Sequence, residues 1–115
     1  MPVAVVGRES KVFPYFSADS RPAVAEATGF LLDAGHAEVL YLGAAIHLPS
    51  AYARLRGFED AFRARGMSLN PNYVLADHGG ICRNPRQALR DFIESGQRFT
   101  ALVAASDFTA LGAIK

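Results

Sequence analysis

Short, uniformly apolar runs alternate along this sequence with longer amphipathic stretches. Val39-Leu40-Tyr41-Leu42 and residues 101–105 are such runs, and neither alternates between apolar and polar residues. A strand without that alternation must be covered on both faces, which is typical of parallel strands joined by helical crossovers. We therefore predict an α/β fold in which helices cover both faces of a parallel sheet, a three-layer α/β/α arrangement.

Glycine, proline and capping residues between these runs place the other elements. Strands are predicted at residues 2–6, 15–17, 39–42, 73–76 and 101–105. Helices are predicted at about residues 21–34, from Pro49-Ser50 to Gly66, from Asn84-Pro85 to Gly96, and from Asp107 to Lys115. Serine, asparagine and aspartate open helices by accepting backbone N–H groups, and glycine closes them in the left-handed conformation.

The predicted helices carry apolar positions three and four residues apart, which are expected to face the sheet. The core positions predicted on the first three helices are Ala23, Ala27, Phe30 and Leu31, then Tyr52, Leu55, Phe58, Ala61 and Phe62, and then Ala88, Leu89, Phe92 and Ile93. At 115 residues and 50% hydrophobic composition, the chain is long enough for one such core and too short for two ordinary domains.

Charge and cysteine content exclude several classes of function. Twelve Lys plus Arg face eleven Asp plus Glu, and there is no basic block, so this chain itself is not expected to bind nucleic acid. The single Cys82 excludes an internal disulfide and a cysteine-based zinc site, and it fits a reducing cytoplasm. No apolar run reaches the roughly 18 residues that a membrane span requires, and a signal-peptide pattern is missing from the first residues. We therefore expect no membrane partner.

The motifs of common catalytic sites are also missing. The sequence has no Gly-x-Ser-x-Gly elbow, no glycine-rich phosphate loop with lysine, no paired-histidine zinc motif and no dinucleotide fingerprint. Gly79-Gly80 is interpreted as a turn, and His36, His47 and His78 do not have the spacing of helical metal ligands. We predict no catalytic residue, no metal and no cofactor.

In open parallel sheets, ligands bind beyond the carboxyl ends of the strands, where loops diverge and helices begin. This rule selects the loops at residues 43–50, 77–84 and 106–107 and the entry at residues 15–20. The polar and aromatic side chains in or next to these loops are Arg54, Ser50, His78, Tyr15, Asp107 and Ser106. Such a set suits a small polyol, a sugar or a purine-like ligand.

Five segments, in order along the whole chain, resemble the LacI/GalR (lactose-repressor-type) family of transcriptional regulators. They are MPVAVV at residues 1–6, FSAD at 16–19 with LLDAGH at 31–36, VLYLG at 39–43, SAYARLRGFEDA at 50–61, and residues 99–113 with their Thr-Ala start and Ala-x-Gly ending. The resemblance implies one lobe of a periplasmic-binding-protein-like (type I) domain. Residues 1–18 would be the connection from a first lobe, and residues 19–115 a second lobe that continues past Lys115.

The resemblance also implies a function. Family members join a DNA-binding headpiece and a hinge helix to a two-lobed core that dimerises, and an effector bound between the lobes controls operator binding. This chain would then be the effector-sensing part of a cytoplasmic regulator. It would be a homodimer when full length, and it would contact DNA only through an N-terminal headpiece outside these residues.

By the resemblance, Arg54 matches the arginine that contacts the effector, since its planar fork can donate two parallel bonds to hydroxyls or a carboxylate. The alternative is a surface arginine paired with Glu59 or Asp60. Ser50 matches a position that often carries a hydroxyl, and the alternative is a helix cap.

The other four candidates also have two interpretations. His78 follows a strand where some members stack an aromatic ring on the effector, or it is a plain loop histidine. Tyr15 is near a cleft aromatic of the family, or it belongs to the strand core. Asp107 matches the aspartate of an Asn-Asp pair, or it only caps the last helix. Ser106 replaces the asparagine of that pair and has fewer donors.

Three other functions compete with the regulator. They are a periplasmic solute-binding protein or transport receptor, a sensor domain joined to a kinase or cyclase, and an enzyme on a flavodoxin-like sheet. A helix-turn-helix before Met1 would indicate the regulator, and a signal peptide the transporter.

Overall fold

A computed structural model of the protein describes residues 3–6, 15–16, 20–44 and 50–105. In chain order, its elements are β1 (Val3–Val6), β2 (Tyr15–Phe16), α1 (Ser20–Asp33), β3 (Val39–Leu42), α2 (Ala51–Ala64), a 3-10 turn (Pro71–Tyr73), β4 (Val74–Leu75), α3 (Pro85–Glu94) and β5 (Ala101–Ala104). The predicted order of strands and helices is confirmed through residue 105. The helix predicted from Asp107 lies outside the described residues.

The strands form one sheet of five strands in the order β2-β1-β5-β3-β4, and every neighbouring pair is parallel. In the centre, Leu40 of β3 lies beside Leu102 of β5, and Leu42 lies beside Ala104. Helices α1 and α2 cover one face of this sheet, and α3 covers the other. The predicted α/β class with a parallel sheet is therefore confirmed.

The burial of strand β3 explains why its sequence does not alternate between apolar and polar residues. Val39 and Tyr41 pack into the core cluster under α1 and α2, whereas Leu40 and Leu42 pack into the cluster under α3. All four side chains are buried, so both faces of the strand must be apolar.

Helices α1 and α2 lie unusually close together at Gly57. A Cβ atom at this position would clash with the carbonyl oxygen of Arg21 on α1 and would press on Val24. Next to this contact, the guanidinium of Arg21 donates to both carboxylate oxygens of Asp60, with its shortest N···O distance 2.6 Å. Gly57 thus allows the backbones of the two helices to approach each other. The ion pair between Arg21 and Asp60 then links the helices at the surface.

The prediction of a core position is wrong for three residues. Phe30 is 69% exposed, Tyr52 54% and Ile93 55%. Each of them is one position away from a buried neighbour, and one position turns the side chain by about 100° around a helix of 3.6 residues per turn. On α1 and α2, the buried side is turned around the helix from the predicted one and takes in other residues, among them Thr28 and Gly57, because α1 and α2 pack on each other as well as on the sheet.

Strands β1 and β2 belong to the same sheet as the rest of the chain. β1 is hydrogen-bonded to β2 on one side and to β5 on the other. The division of the chain into a connection at residues 1–18 and a lobe at 19–115 stays a prediction, as does the continuation of the lobe past Lys115.

We expect Gly57→Ala to destabilise the protein by about 1–3 kcal/mol, because the added methyl group forces α1 and α2 apart. The free energy of unfolding can be measured by urea denaturation. The matched control is Gly79→Ala, since a Cβ atom there meets only the Asp77 carboxylate at an ordinary 3.4 Å. Equal effects of the two substitutions would contradict the close-approach argument.

Candidate functional site at the carboxyl edge of the sheet

The loops that follow β3 and β4 are joined by backbone hydrogen bonds at the carboxyl edge of the sheet. The amide of Gly43 donates to the carbonyl of Leu75 (3.2 Å), and the amide of Ala44 donates to that of Gly80 (3.1 Å). In return, the amide of Cys82 donates to the carbonyl of Ala44 (2.8 Å). These two loops therefore lie together.

Asp77 organises the turn after β4. Its Oδ1 accepts from the amides of Gly79 (2.9 Å) and Ile81 (3.0 Å). The bond from the Ile81 amide is the main reason why the pKa of Asp77 lies below its usual value. Gly80 has a φ of 82°, and a Cβ there would clash with the carbonyl oxygen of Ala51, so the turn packs against the start of α2. The interpretation of Gly79-Gly80 as a turn is confirmed.

Arg54 lies in the first turns of α2 with its side chain turned into the protein. The residue is 8% exposed, and its Nη1 donates to the carbonyl oxygen of Ala105, just past the end of β5, at 2.7 Å. Burial lowers the pKa of Arg54, and the nearby Tyr41 phenol opposes this shift. A guanidinium stays charged at neutral pH even so. A cation is therefore held at the edge where parallel sheets bind ligands.

The alternative interpretation of Arg54 as a surface arginine is wrong. Glu59 pairs instead with Arg56, at 3.2 Å, and Asp60 pairs with Arg21 and Arg63. These partners lie on the outer part of α2, whereas Arg54 lies on its buried side.

Tyr41 is a polar group at this site that the sequence analysis treated only as strand core. Its ring packs on Phe58 with the centroids 5.1 Å apart, and the residue is fully buried. In the described part of the chain, its hydroxyl has no hydrogen-bond partner. A buried hydroxyl in that state costs about 1–3 kcal/mol. A single hydroxyl in an otherwise aliphatic strand was the signal that could have drawn attention to it.

Ser50 directly precedes α2 at the N-cap position. Its side chain makes no capping hydrogen bond, and its backbone carbonyl accepts from the amide of Arg54 at 3.0 Å. The capping alternative for this hydroxyl is therefore wrong. Ser50 remains a candidate because it lies one helical turn before Arg54.

His78 is not placed with Arg54. It is exposed, and it lines a groove of about 710 Å³ between α2 and the segment that carries β4. The groove is lined by Tyr52, Leu55, Arg56, Glu59, Phe62, Arg63, Met67, Leu69, Pro71, Val74, Ala76, Asp77 and His78. Neither Arg54 nor Ser50 is among these residues. The turn that carries His78 packs on the start of α2 at Gly80, and His78 itself lines this groove.

The remaining candidates can be placed only in part. Tyr15 lies in β2, where it is the register partner of Val5 in β1, at the edge of the sheet opposite β4. Ser106 and Asp107 lie outside the described residues. They directly follow Ala105, whose carbonyl Arg54 binds.

Other site chemistries receive no support from the described residues. Among them, no three His, Cys, Asp or Glu side chains are grouped so that they could hold a metal. The thiol of Cys82 is unpaired and buried, and burial raises its pKa. None of the described helices is long and apolar enough to span a membrane.

Comparison with known proteins decides the family. A family model described as periplasmic binding proteins and sugar binding domain of the LacI family matches residues 1–115. The chain belongs to this family. The resemblance to LacI/GalR effector-binding domains drawn from the sequence is therefore confirmed.

Individual relatives agree with this assignment. The HTH-type transcriptional regulator AscG of Escherichia coli (strain K12) is 34% identical over 93 residues, which cover 81% of this chain and 26% of AscG. The ribose operon repressor of Haemophilus influenzae is 29% identical over 91 residues, or 76% of this chain and 26% of that protein. The chain thus spans about a quarter of the length of these relatives.

The fold also matches solved structures of the LacI family. A sugar-binding transcriptional regulator from Escherichia coli, crystallised with phosphate, aligns with a TM-score of 0.69 and 26% identity. The alignment covers 98% of this chain and 41% of that one.

The Arg-x-x-Gly-Phe segment of this LacI-family domain can be explained from the contacts of its three named residues. Arg54 reaches the carboxyl edge, Gly57 admits α1, and Phe58 fills the core.

We expect Asp77→Ala to increase hydrogen exchange at the amides of Gly79 and Ile81, because both lose a charge-assisted acceptor. The control is Asp91→Ala, whose carboxylate accepts from the Gln87 side chain and not from this turn. Because folding lowers the pKa of Asp77, its carboxylate stabilises the folded state above the unfolded pKa of about 4. This stabilisation is lost as the pH falls through the lowered pKa. Unchanged exchange in Asp77→Ala would refute this role.

Proposed function

We propose that this chain is the effector-sensing part of a LacI-type transcriptional regulator, and that it binds a sugar, a nucleoside or a similar small molecule at the carboxyl edge of the sheet. The observation that carries the proposal is the inward-turned Arg54 and its bond to Ala105 at that edge. A structural role alone does not require a cation at this place, because an apolar side chain would avoid the cost of burying charge.

The chemistry of Arg54 limits the class of effector. A guanidinium has five N–H donors and no acceptor, and its planar fork suits pairs of oxygen atoms. Vicinal hydroxyls of a sugar or ribose ring present such pairs, and so does a carboxylate. Ser50, one helical turn earlier, could supply a further hydroxyl to the same ligand. His78 is a weaker candidate, because it lines a groove between α2 and the β4 segment to which Arg54 does not contribute.

The proposed mechanism is closure of two lobes around the effector. The ligand would contact this lobe through Arg54 and a second lobe outside this chain, and it would favour the closed state by its higher affinity for that state. In a dimeric, cytoplasmic regulator, closure would change the spacing of two DNA-binding headpieces. AscG is named as an HTH-type regulator and the Haemophilus influenzae relative as a repressor, which supports a DNA-binding partner domain.

A periplasmic solute-binding protein is the alternative, because the matching family includes such proteins. Its ligand chemistry at Arg54 would be the same, but it would have no DNA-linked response. The names of the curated relatives favour the regulator over a transport receptor and over an enzyme.

We expect Arg54→Lys to weaken effector binding at least tenfold, because lysine keeps the charge and loses the two-pronged donor geometry. Titration calorimetry of the full-length protein with D-ribose, cellobiose, cytidine and hypoxanthine provides the measurement. The control is Arg56→Lys, two positions along the same helix and paired with Glu59, which should bind like the wild type. Equal affinity in Arg54→Lys and the wild type would refute the proposed site.

The regulatory part of the proposal has a separate test. A compound that binds in the calorimeter should change the affinity of the full-length protein for its operator, as measured by fluorescence anisotropy with labelled DNA. A compound that binds tightly and leaves DNA affinity unchanged would rule out the allosteric mechanism while leaving the binding site in place.

A further inference from the structure

The hydroxyl of Tyr41 is the feature of this edge that the proposed function has not used. Its oxygen is fully buried and has no hydrogen-bond partner in the described part of the chain. Buried polar side-chain atoms are nearly always partnered in native proteins, so each exception requires an explanation. A phenylalanine at this position would keep the ring contact with Phe58 and would not bury an unpartnered oxygen. Packing therefore explains the ring of Tyr41 but not its hydroxyl.

Sheet register places this phenol beside the Arg54 site. Tyr41 in β3 is the register partner of Val103 in β5, and Ala105 comes two residues later on the same face of the sheet. Arg54 binds the carbonyl of Ala105, and Arg54 lies one helical turn before Phe58, the residue on which the Tyr41 ring packs. The phenol and the guanidinium thus share one face of the sheet and neighbouring positions under α2.

We propose that the Tyr41 hydroxyl is a second polar contact of the effector site, donating its hydrogen bond to an oxygen atom of the effector that Arg54 holds. The proposal rests on the proposed function, since it needs an effector at Arg54. Arg54 is 8% exposed and Tyr41 is fully buried, so an effector would meet Arg54 first and Tyr41 behind it.

The protonation state of the phenol fits a donor. Burial raises the pKa of Tyr41, and Arg54 is the charged group that opposes this rise. The O–H group is therefore retained at neutral pH. Two neighbouring groups that both donate select a ligand rich in oxygen acceptors and disfavour one that presents N–H donors at this place.

The test compares two Tyr→Phe substitutions in the full-length protein. Tyr73 is the matched control, because its hydroxyl donates to the carbonyl of Arg98 (2.6 Å). Arg98 precedes the amino end of β5, whereas Arg54 binds Ala105 just past the carboxyl end of that strand. Thermal unfolding and calorimetry with D-ribose, cellobiose, cytidine and hypoxanthine give the melting temperature and the effector affinity of each variant. Arg54→Lys is included as a reference for loss of the site.

We expect opposite results from the two substitutions. Tyr41→Phe should lower the affinity for the bound compound about tenfold, the effect of one lost hydrogen bond to a buried acceptor. Its melting temperature should stay the same or rise, because no native hydrogen bond is lost. Tyr73→Phe should lower the melting temperature and leave the affinity unchanged.

Three outcomes would overturn the inference, and they separate it from the proposed function. If Tyr41→Phe binds like the wild type while Arg54→Lys binds weakly, the Tyr41 contact is wrong and the proposed site stands. If Tyr41→Phe loses stability as well as affinity, the hydroxyl has a structural role. If none of the four compounds binds the wild type, the proposed sugar or nucleoside function fails, and the inference fails with it.

Discussion

The pairing of β3 with β5, covered by helices on both faces, is the constraint on which the rest of the structure depends. Leu40 and Leu42 pack towards α3, and Val39 and Tyr41 pack towards α1 and α2. Because the two strands are parallel, the loops that leave them meet at one edge, and helix α2 begins there. The candidate site at Arg54 depends on this sheet, which brings the start of α2 and the end of β5 together.

Close packing of α1 on α2 fixes the direction in which Arg54 points. Gly57 lets the two helices approach until a side chain there would clash with the backbone of Arg21. With α2 held in this way, one side of the helix is buried and the other carries the ion pairs of Arg56 and Arg63. Arg54 is on the buried side, so its charge is directed to the end of β5 rather than to solvent. The Arg-x-x-Gly-Phe motif thus joins a packing requirement at Gly57 to the proposed binding group at Arg54.

The sequence predicted the candidate site only in part. Arg54 could be found because it belongs to a recognisable motif, and its inward position excludes the interpretation as a surface arginine. The sequence groups His78 with Arg54 because both come after strands at the same edge, but His78 lines a groove between α2 and the β4 segment to which Arg54 does not contribute. The sequence shows which loop a residue belongs to, but it does not show the direction in which the side chain points. Tyr41 was missed because an aromatic residue in an apolar strand resembles ordinary core.

The sequence by itself determined the fold class, the order of elements and the family, because uniformly apolar strands, helix-ending glycines and a spaced motif are local properties of the chain. Only the tertiary structure decided that Phe30, Tyr52 and Ile93 face solvent, since the width of a buried stripe depends on what the helix packs against. It also decided that Arg54 is buried and lies near an unpartnered phenol. Burial and hydrogen bonding depend on groups far apart in the sequence, and those groups become neighbours only when the sheet forms.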